Sequence, residues 1–415
     1  MSRGKVSSGA GPRRVVLVIL TMAGHRRVMG RLLLAAVAAS WVGCSLLLSP
    51  DDLSSAYGDG GPDAPATKAD AALEADASDA YDGEAEAGSD ADVGPGDGAC
   101  ADTMADPNNC GACGHGCLGG GCDGGACEPV QLLTGIDFHG LAVSGASAYV
   151  MEGMEGEIVK LSLDGGAVSK VISGIVRGHG LAVDGAGNYV YWTTQANAPS
   201  FIAGGAWRAK LSTDSGTEFD VLYDALGQPA NAAGIAVDSH NVYYTQYDDG
   251  LVYQQTLQNI TTALPTLVVF KGDAGAVSGA SAQGVASNGV TLYWTDRAAG
   301  QVFATSEDGG AFNDGGLNQS ALVPLALGQG YPGFPAVDST YVYWSNQGTG
   351  PSGTIVRSPI GGCDAGSGDA GCMTTLASGQ LRPLAVAVDG KAVYWTNQGD
   401  TAGNGAAVMR LALPP

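Results

Sequence analysis

Six times between residues 141 and 397 the chain writes a variant of one phrase, and this recurrence limits its fold more than any other feature. The copies read LAVSGASAYVME (141–152), LAVDGAGNYVYWTT (181–194), IAVDSHNVYYTQ (235–246), VASNGVTLYWTD (285–296), PAVDSTYVYWSN (335–346) and VAVDGKAVYWTN (386–397). Anchored on the alanine of each copy (Ala142, Ala182, Ala236, Ala286, Ala336, Ala387), the steps are 40, 54, 50, 50 and 51 residues. Self-similarity at such a period is the mark of a repeat architecture, in which each unit buries its apolar face against the next.

Within each unit the apolar residues alternate and are bounded by Gly and Asp clusters, which reads as strands. Two strands lie in the phrase itself. A third follows, as in GEIVKLSLDGG (156–166) and GQVFATSEDGG (300–310), where Asp-Gly-Gly is hairpin chemistry. A fourth short run is rich in β-branched residues, as in AVSKVISG (167–174) and TLVVFKG (266–272). Four strands in roughly 40–50 residues make a propeller blade. The last unit stops after its third strand, while VQLLTGI (130–136) supplies a spare strand ahead of the first unit. The expected fold is therefore all-β: a six-bladed propeller over 128–415, closed by its N-terminal strand pairing around Ala407–Leu413 so that no edge is bare.

The strand-b motifs, Tyr293-Trp294-Thr295-Asp296 in full and Tyr394-Trp395-Thr396-Asn397, Tyr343-Trp344-Ser345-Asn346 and Tyr191-Trp192-Thr193-Thr194 in part, resemble the YWTD propellers of the low-density-lipoprotein-receptor type. That resemblance implies a six-bladed ring whose inner strands line a central channel, with the d–a and b–c loops on one face. Positions three before each anchor alanine then meet at the channel mouth: His139, His179, Ala233, Gln283, Gly333 and Leu384. The b–c loops bring Glu152, Gln246, Asp296, Gln347 and Gln398 near them.

Ahead of the ring the composition changes three times. Residues 1–44 contain no acid and end in MGRLLLAAVAASWVGC, a signal segment too short for a confident membrane span. Its end resembles a bacterial lipoprotein box, which implies lipidation of Cys44; an ordinary signal peptide with an incidental cysteine is the alternative. Met1, Met22 and Met29 are all possible starts. Residues 45–99 form a tether: 51–99 hold fourteen Asp/Glu against one Lys and almost no large apolar side chain, so they cannot offset the entropy of ordering. Residues 100–127 carry Cys100, Cys110, Cys113, Cys117, Cys122 and Cys127, an even set expected to be disulfide-bonded, with fifteen pairings open. This run resembles the DPNNCGACG modules of myxobacterial secreted proteins. Zinc on Cys110, Cys113, Cys117 and His115 is the rival reading. Cys363 and Cys372 flank a loop in the fifth unit and are expected to staple it.

The functional reading starts from charge. The chain carries a net −22, and residues 128–415 hold 24 acids against 11 bases without a basic stripe, which argues against nucleic acid or an anionic lipid surface as partner. No nucleophile elbow, zincin helix or phosphate loop is present. His139 and His179 are the notable pair, but a channel metal needs a third good ligand and the next position is Ala233. The aspartates of the AVD steps (Asp184, Asp238, Asp338, Asp389) are expected to accept local backbone N–H groups rather than hold calcium. No cofactor is expected.

The expected function is a non-catalytic binding module on the cell envelope, a monomer anchored by lipid at the outer membrane or cell surface. It would take a protein or glycan through His139, His179, Gln283, Gln347 and Gln398. The alternatives are a periplasmic or secreted enzyme of lyase or lactonase type using His139 and His179, and a structural spacer.

Overall fold

The computed structural model describes residues 100, 102–195, 204–211, 220–223, 231–248, 250–260, 266–270, 281–307, 312–313, 316–317, 323–363, 372–400 and 403–415. The expected signal segment, Cys44 and the tether lie outside the described residues. Among those described, two 3-10 turns, Leu257–Asn259 and Gly350–Ser352, are the only helical elements, and no helix is long and apolar enough to cross a membrane.

The architecture is a six-bladed β-propeller. Each blade is a four-stranded antiparallel sheet, whose strands are called a to d from the axis outward. The a strands are Phe138–Ser144, Gly178–Val183, Ala232–Val237, Ala282–Ser287, Ala336–Val337 and Pro383–Val388 in blades 1 to 6. They pack side by side around the axis, blade 6 against blade 1 included. The ring closes as the sequence predicts. Val130–Gly135 is strand d of blade 6 and pairs antiparallel with Ala406–Ala412, Leu133 opposite Val408 and Val130 opposite Arg410.

The motif explains itself once the blades are stacked. Side chains alternate along strand b, so adjacent Tyr and Trp face opposite neighbours. The Tyr of each blade joins the apolar cluster of the next blade's Trp: Tyr149 with Trp192, Tyr243 with Trp294, Tyr293 with Trp344 and Tyr343 with Trp395. In blade 3 a tyrosine stands in for Trp, and Tyr191 packs with Tyr244. Tyr394 closes the circle in a cluster with Val150 of blade 1. Trp294, Trp344 and Trp395 are fully buried. Gln329 and Gln380 accept the Nε1–H of Trp344 and Trp395, each at 3.0 Å.

The residue after Trp staples blades together. The Thr193 hydroxyl accepts the N–H of Gly180 in its own blade at 2.8 Å and donates to Ala233 O of the next at 2.6 Å. Thr245 and Thr295 repeat the arrangement; Ser345 and Thr396 donate likewise, to Leu384 O and His139 O. Blade 1 has Met151 at this position, so its seam with blade 2 is apolar.

The AVD carboxylates are structural. Oδ1 of Asp238, Asp338 and Asp389 accepts two backbone N–H groups of the a–b turn, and Oδ2 accepts the phenol of Tyr243, Tyr343 or Tyr394 at 2.7–3.0 Å. Burial, with the neighbouring carboxylate, raises these three phenols well above their ordinary range.

Strand a of blade 5 is shorter than its repeat predicts. Pro332 and Pro335 in YPGFPAVD lack the N–H groups a ladder needs, and only Ala336–Val337 remain paired as strand. Phe334 instead bonds to blade 6, its N–H to Leu384 O at 2.8 Å.

The cysteines form Cys100–Cys113, Cys110–Cys122, Cys117–Cys127 and Cys363–Cys372. His115 does not face a metal: its ring nitrogens lie 2.5 Å from Cys110 O and 2.7 Å from Leu413 O. The module, expected to lie outside the ring, is thereby tied to the closing blade. Arg410 reinforces the tie, bonding Leu118 O of the module and Leu163 O of blade 1.

Candidate functional site

Three concentric sets of residues build the channel mouth, one member from each blade. The innermost is the predicted set: His139, His179, Ala233, Gln283, Gly333 and Leu384. Two positions earlier stand Asp137, Arg177, Asn231, Ser281, Tyr331 and Arg382. The carbonyl of each of these six accepts the N–H of the first residue after strand b: Gly153, Gln195, Tyr247, Arg297, Gln347 and Gln398, at 2.9–3.2 Å. This repeated bond locks the d–a loop to the b–c loop in every blade.

The lock holds unusual backbone. Asp137, Arg177, Tyr331 and Arg382 all have φ between 52° and 58°, a left-handed conformation that non-glycine residues seldom adopt. Four equivalent residues sharing one strained conformation at one rim place large polar side chains where glycine would be favoured sterically. Such strain gathers at functional surfaces.

Two groups of side chains meet here. On one side, His139 Nε2 bonds Asp137 Oδ1 at 2.9 Å, and the His139 and His179 rings meet edge-to-face with centroids 5.0 Å apart. Gly153 makes room for the pair, since a Cβ there would stand 2.8 Å from Asp137 Oδ2 and 2.9 Å from His139 Nε2. Hydrogen bonding to His139, reinforced by the charge of Arg382, lowers Asp137 below the usual carboxylate range. Removal from water, together with His139 and Arg297, brings His179 down to about 3, so it is neutral at pH 7. The buried Nδ1 atoms of both histidines lack a hydrogen-bond partner.

On the other side a chain of bonds crosses three blades. Arg297 Nη2 donates to Gln347 Oε1, Gln347 Nε2 donates to Gln398 Oε1 at 2.8 Å, and Arg382 Nη2 donates to the same Gln398 oxygen at 3.3 Å. Arg297 also lies over the Tyr331 ring, 5.6 Å from its centroid. Burial, and after it the like charge of Arg382, lowers the Arg297 pKa. Among the described residues no carboxylate lies within 4.0 Å of Arg297 or Arg382.

The floor is Phe334. In the other blades its position is Gly140, Gly180, Gly234, Gly284 or Ala385, because inner strands approach closely; a Cβ on Gly284 would sit 2.6 Å from Phe334 Cα. The Phe334 ring reaches from blade 5 to His179 of blade 2, with centroids 5.2 Å apart. Contact between opposite blades closes the channel beneath the mouth. Beyond it, a separate hollow of about 170 Å³ is lined mainly by Ala and Val of the a strands.

Of the predicted site residues, His139 and His179 come together, as do Gln347 and Gln398. Gln283 is buried and its carbonyl accepts Thr245. Glu152, Gln246 and Asp296 are the last residues of their b strands, one position short of the lock. Asp296 is fully buried and accepts the N–H of Ala299 at 2.9 Å. Sequence reasoning missed Asp137, Arg297, Tyr331 and Arg382. They sit five before or eleven after an anchor alanine, so the repeat's own spacing marks them. Among the described residues, the clusters spaced to hold a metal are Cys110/Cys117/Cys127, which are disulfide-bonded, and Glu152/Glu155/Glu157; neither contains a mouth histidine.

No protein-family model matches the chain, and no curated protein does. Solved structures do match. A gluconolactonase of Xanthomonas campestris is similar with TM-score 0.50 and 13% identity over 69% of this chain and 89% of its own. A virginiamycin B lyase of Staphylococcus aureus gives 0.47 and 12% over 69% and 98%, and a nidogen/laminin complex 0.42 and 19% over 54% and 76%. At these identities the likeness is one of fold.

Proposed function

We propose that this chain is an exported, non-catalytic binding module that holds a ligand at the closed mouth of its propeller. One observation carries the reading: six d–a loops, four of them with a non-glycine residue in left-handed conformation, are each locked to a b–c loop and aim Arg, Gln and Tyr side chains at one rim. A rigid scaffold with residue-by-residue variation at its loops suits recognition. The ladder of Tyr, Trp and Thr positions also supports kinship with YWTD-type propellers. The disulfides favour an oxidising location outside the cytoplasm.

The test is a screen of glycans and surface proteins against the wild type and a Gln347→Ala/Gln398→Ala variant. Ligands that bind the first and not the second support the reading; ligands indifferent to the change, or no ligand at all, oppose it and favour a spacer. Lipidation of Cys44 belongs to the same proposal. The wild type should take up a fatty-acid analogue and fractionate with membranes, and Cys44→Ala should do neither.

A second reading is favoured by the Asp137–His139 pair beside a neutral His179. A carboxylate-held imidazole with a free nitrogen is the equipment of an acid–base enzyme. Metal content separates the two. Stoichiometric metal in native protein that disappears in His139→Ala/His179→Ala would replace the binding module by a lyase- or lactonase-like enzyme.

A further inference from the structure

The chain is acidic overall, yet three of the eighteen mouth positions are arginines, and two of them, Arg297 and Arg382, have no carboxylate within 4.0 Å among the described residues. Arg297 and Arg382 come from blades 4 and 6, are joined through Gln347 and Gln398, and have only amide oxygens as hydrogen-bond acceptors among the described residues. An amide oxygen satisfies one donor of a guanidinium that carries five. It does nothing for the charge. Bringing two like charges into one half-buried cluster costs stability, and a fold that keeps them there stores attraction for something negative.

The size of that charge limits the ligand. The rim carries three arginines, Arg177, Arg297 and Arg382, against one carboxylate, Asp137, so it holds an excess of positive charge before the imidazoles are counted. Asp137 stands at the same mouth and repels a second negative charge, which favours a monoanion over a dianion such as phosphate. Guanidinium groups pair with a planar carboxylate through two parallel N–H bonds, as they also do with phosphate, so it is the charge of Asp137 that favours the carboxylate here.

The rest of the rim limits it further. Of the eighteen positions in the three sets, only Ala233 and Leu384 are aliphatic, so the rim has little with which to seat an aliphatic peptide side chain. It offers instead amides on Gln195, Gln347, Gln398 and Asn231, groups that both donate to and accept from hydroxyls, and the Tyr331 ring. Building on the mouth as the binding surface, we propose that its ligand is an acidic glycan, with a uronate carboxylate held between Arg297 and Arg382 and its hydroxyls on the rim amides.

The experiment measures binding of galacturonate, glucuronate and mannuronate trisaccharides by calorimetry, each against its methyl ester, at two salt concentrations. N-acetylated dipeptide acids and their amides form a parallel arm. The acid of at least one uronate series should bind about tenfold or more tightly than its ester, the worth of one charge-assisted contact. That preference should shrink with salt and vanish in Arg297→Gln/Arg382→Gln. The double variant should fold with an unfolding midpoint equal to or above the wild type, since two like charges are gone.

Equal binding of acid and ester, a preference that survives the double variant, or no binding of any uronate overturns the proposal. Discrimination confined to the peptide arm overturns the glycan and leaves the carboxylate. A neutral ligand lost in Gln347→Ala/Gln398→Ala but unaffected by the arginine changes overturns the anion while the mouth stands. Binding untouched by either pair of changes removes the mouth itself.

Discussion

Thr295 and Thr305 provide a matched test of the stapled ring. Both lie in blade 4, both are buried, at 0% and 3% exposure, and Thr→Val keeps the branching and nearly the shape while exchanging the hydroxyl for a methyl. Their hydroxyls differ. Thr295 Oγ1 accepts the N–H of Gly284 at 3.0 Å and donates to Gly333 O of blade 5 at 2.8 Å. Thr305 Oγ1 is buried with no partner. Thr295→Val thus strips a buried donor and a buried acceptor of their partner, at about 1–3 kcal/mol for each unsatisfied group and about 2–4 kcal/mol together after local relaxation. Thr305→Val replaces an already unsatisfied hydroxyl with a methyl, and the expected change is zero or a gain of about 1 kcal/mol. Urea unfolding followed by tryptophan fluorescence measures both. A loss for Thr295→Val no larger than that for Thr305→Val would show that the hydroxyl staple does not hold the blades.

Other expectations follow from the same geometry. Leu133→Cys/Val408→Cys should crosslink under mild oxidation, because the closing strand places these residues opposite each other; deleting Val130–Gly135 should lower the unfolding midpoint and promote aggregation through the bared edge. His179 titrates far lower folded than unfolded, so between pH 6.5 and about 3 the unfolded chain takes up a proton that the folded one refuses. Stability should fall with falling pH in that window by roughly 1.4 kcal/mol per unit more than in His179→Gln, and equal slopes would contradict the placement. Gly153→Ala should displace the Asp137–His139 pair while leaving the arginine–glutamine chain in place. Ligand binding should then persist within a few-fold; its complete loss would shift weight to the histidine side of the mouth. Removal of everything before Glu128 should cost about 1–2 kcal/mol, since the described ties of the module are hydrogen bonds on Leu413 and Arg410 and the packing of Cys127 against the Trp395 cluster.

The ring was legible because a blade cannot bury its faces alone. Tyr and Trp of strand b must find a neighbour on each side, and that need repeats at the blade period. The shortened strand of blade 5 could have been read from Pro332 and Pro335, which withdraw two ladder donors. The mouth was harder. Its histidines stand at positions in phase with the anchor alanine and were found by counting. Arg297 and Arg382 sit in loops, whose residue types vary from blade to blade, and nothing in a single copy marks them. Only the common register shows that six dissimilar loop residues occupy one rim. Phe334 had a clearer signal: it breaks a column of glycine and alanine, and the one large residue in a column of small ones fills the space they leave.

Hydrogen exchange of the propeller, measured with and without a ligand recovered by the screen, tests the mouth most directly. Amides at 137–139, 177–179, 331–334 and 382–384, with those of Arg297, Gln347 and Gln398, should slow on saturation, while the outer strands and the Ala/Val end of the channel stay unchanged. Protection confined to blade edges, to the Val143–Val183–Val388 end or to the cysteine module would place binding elsewhere and contradict the account.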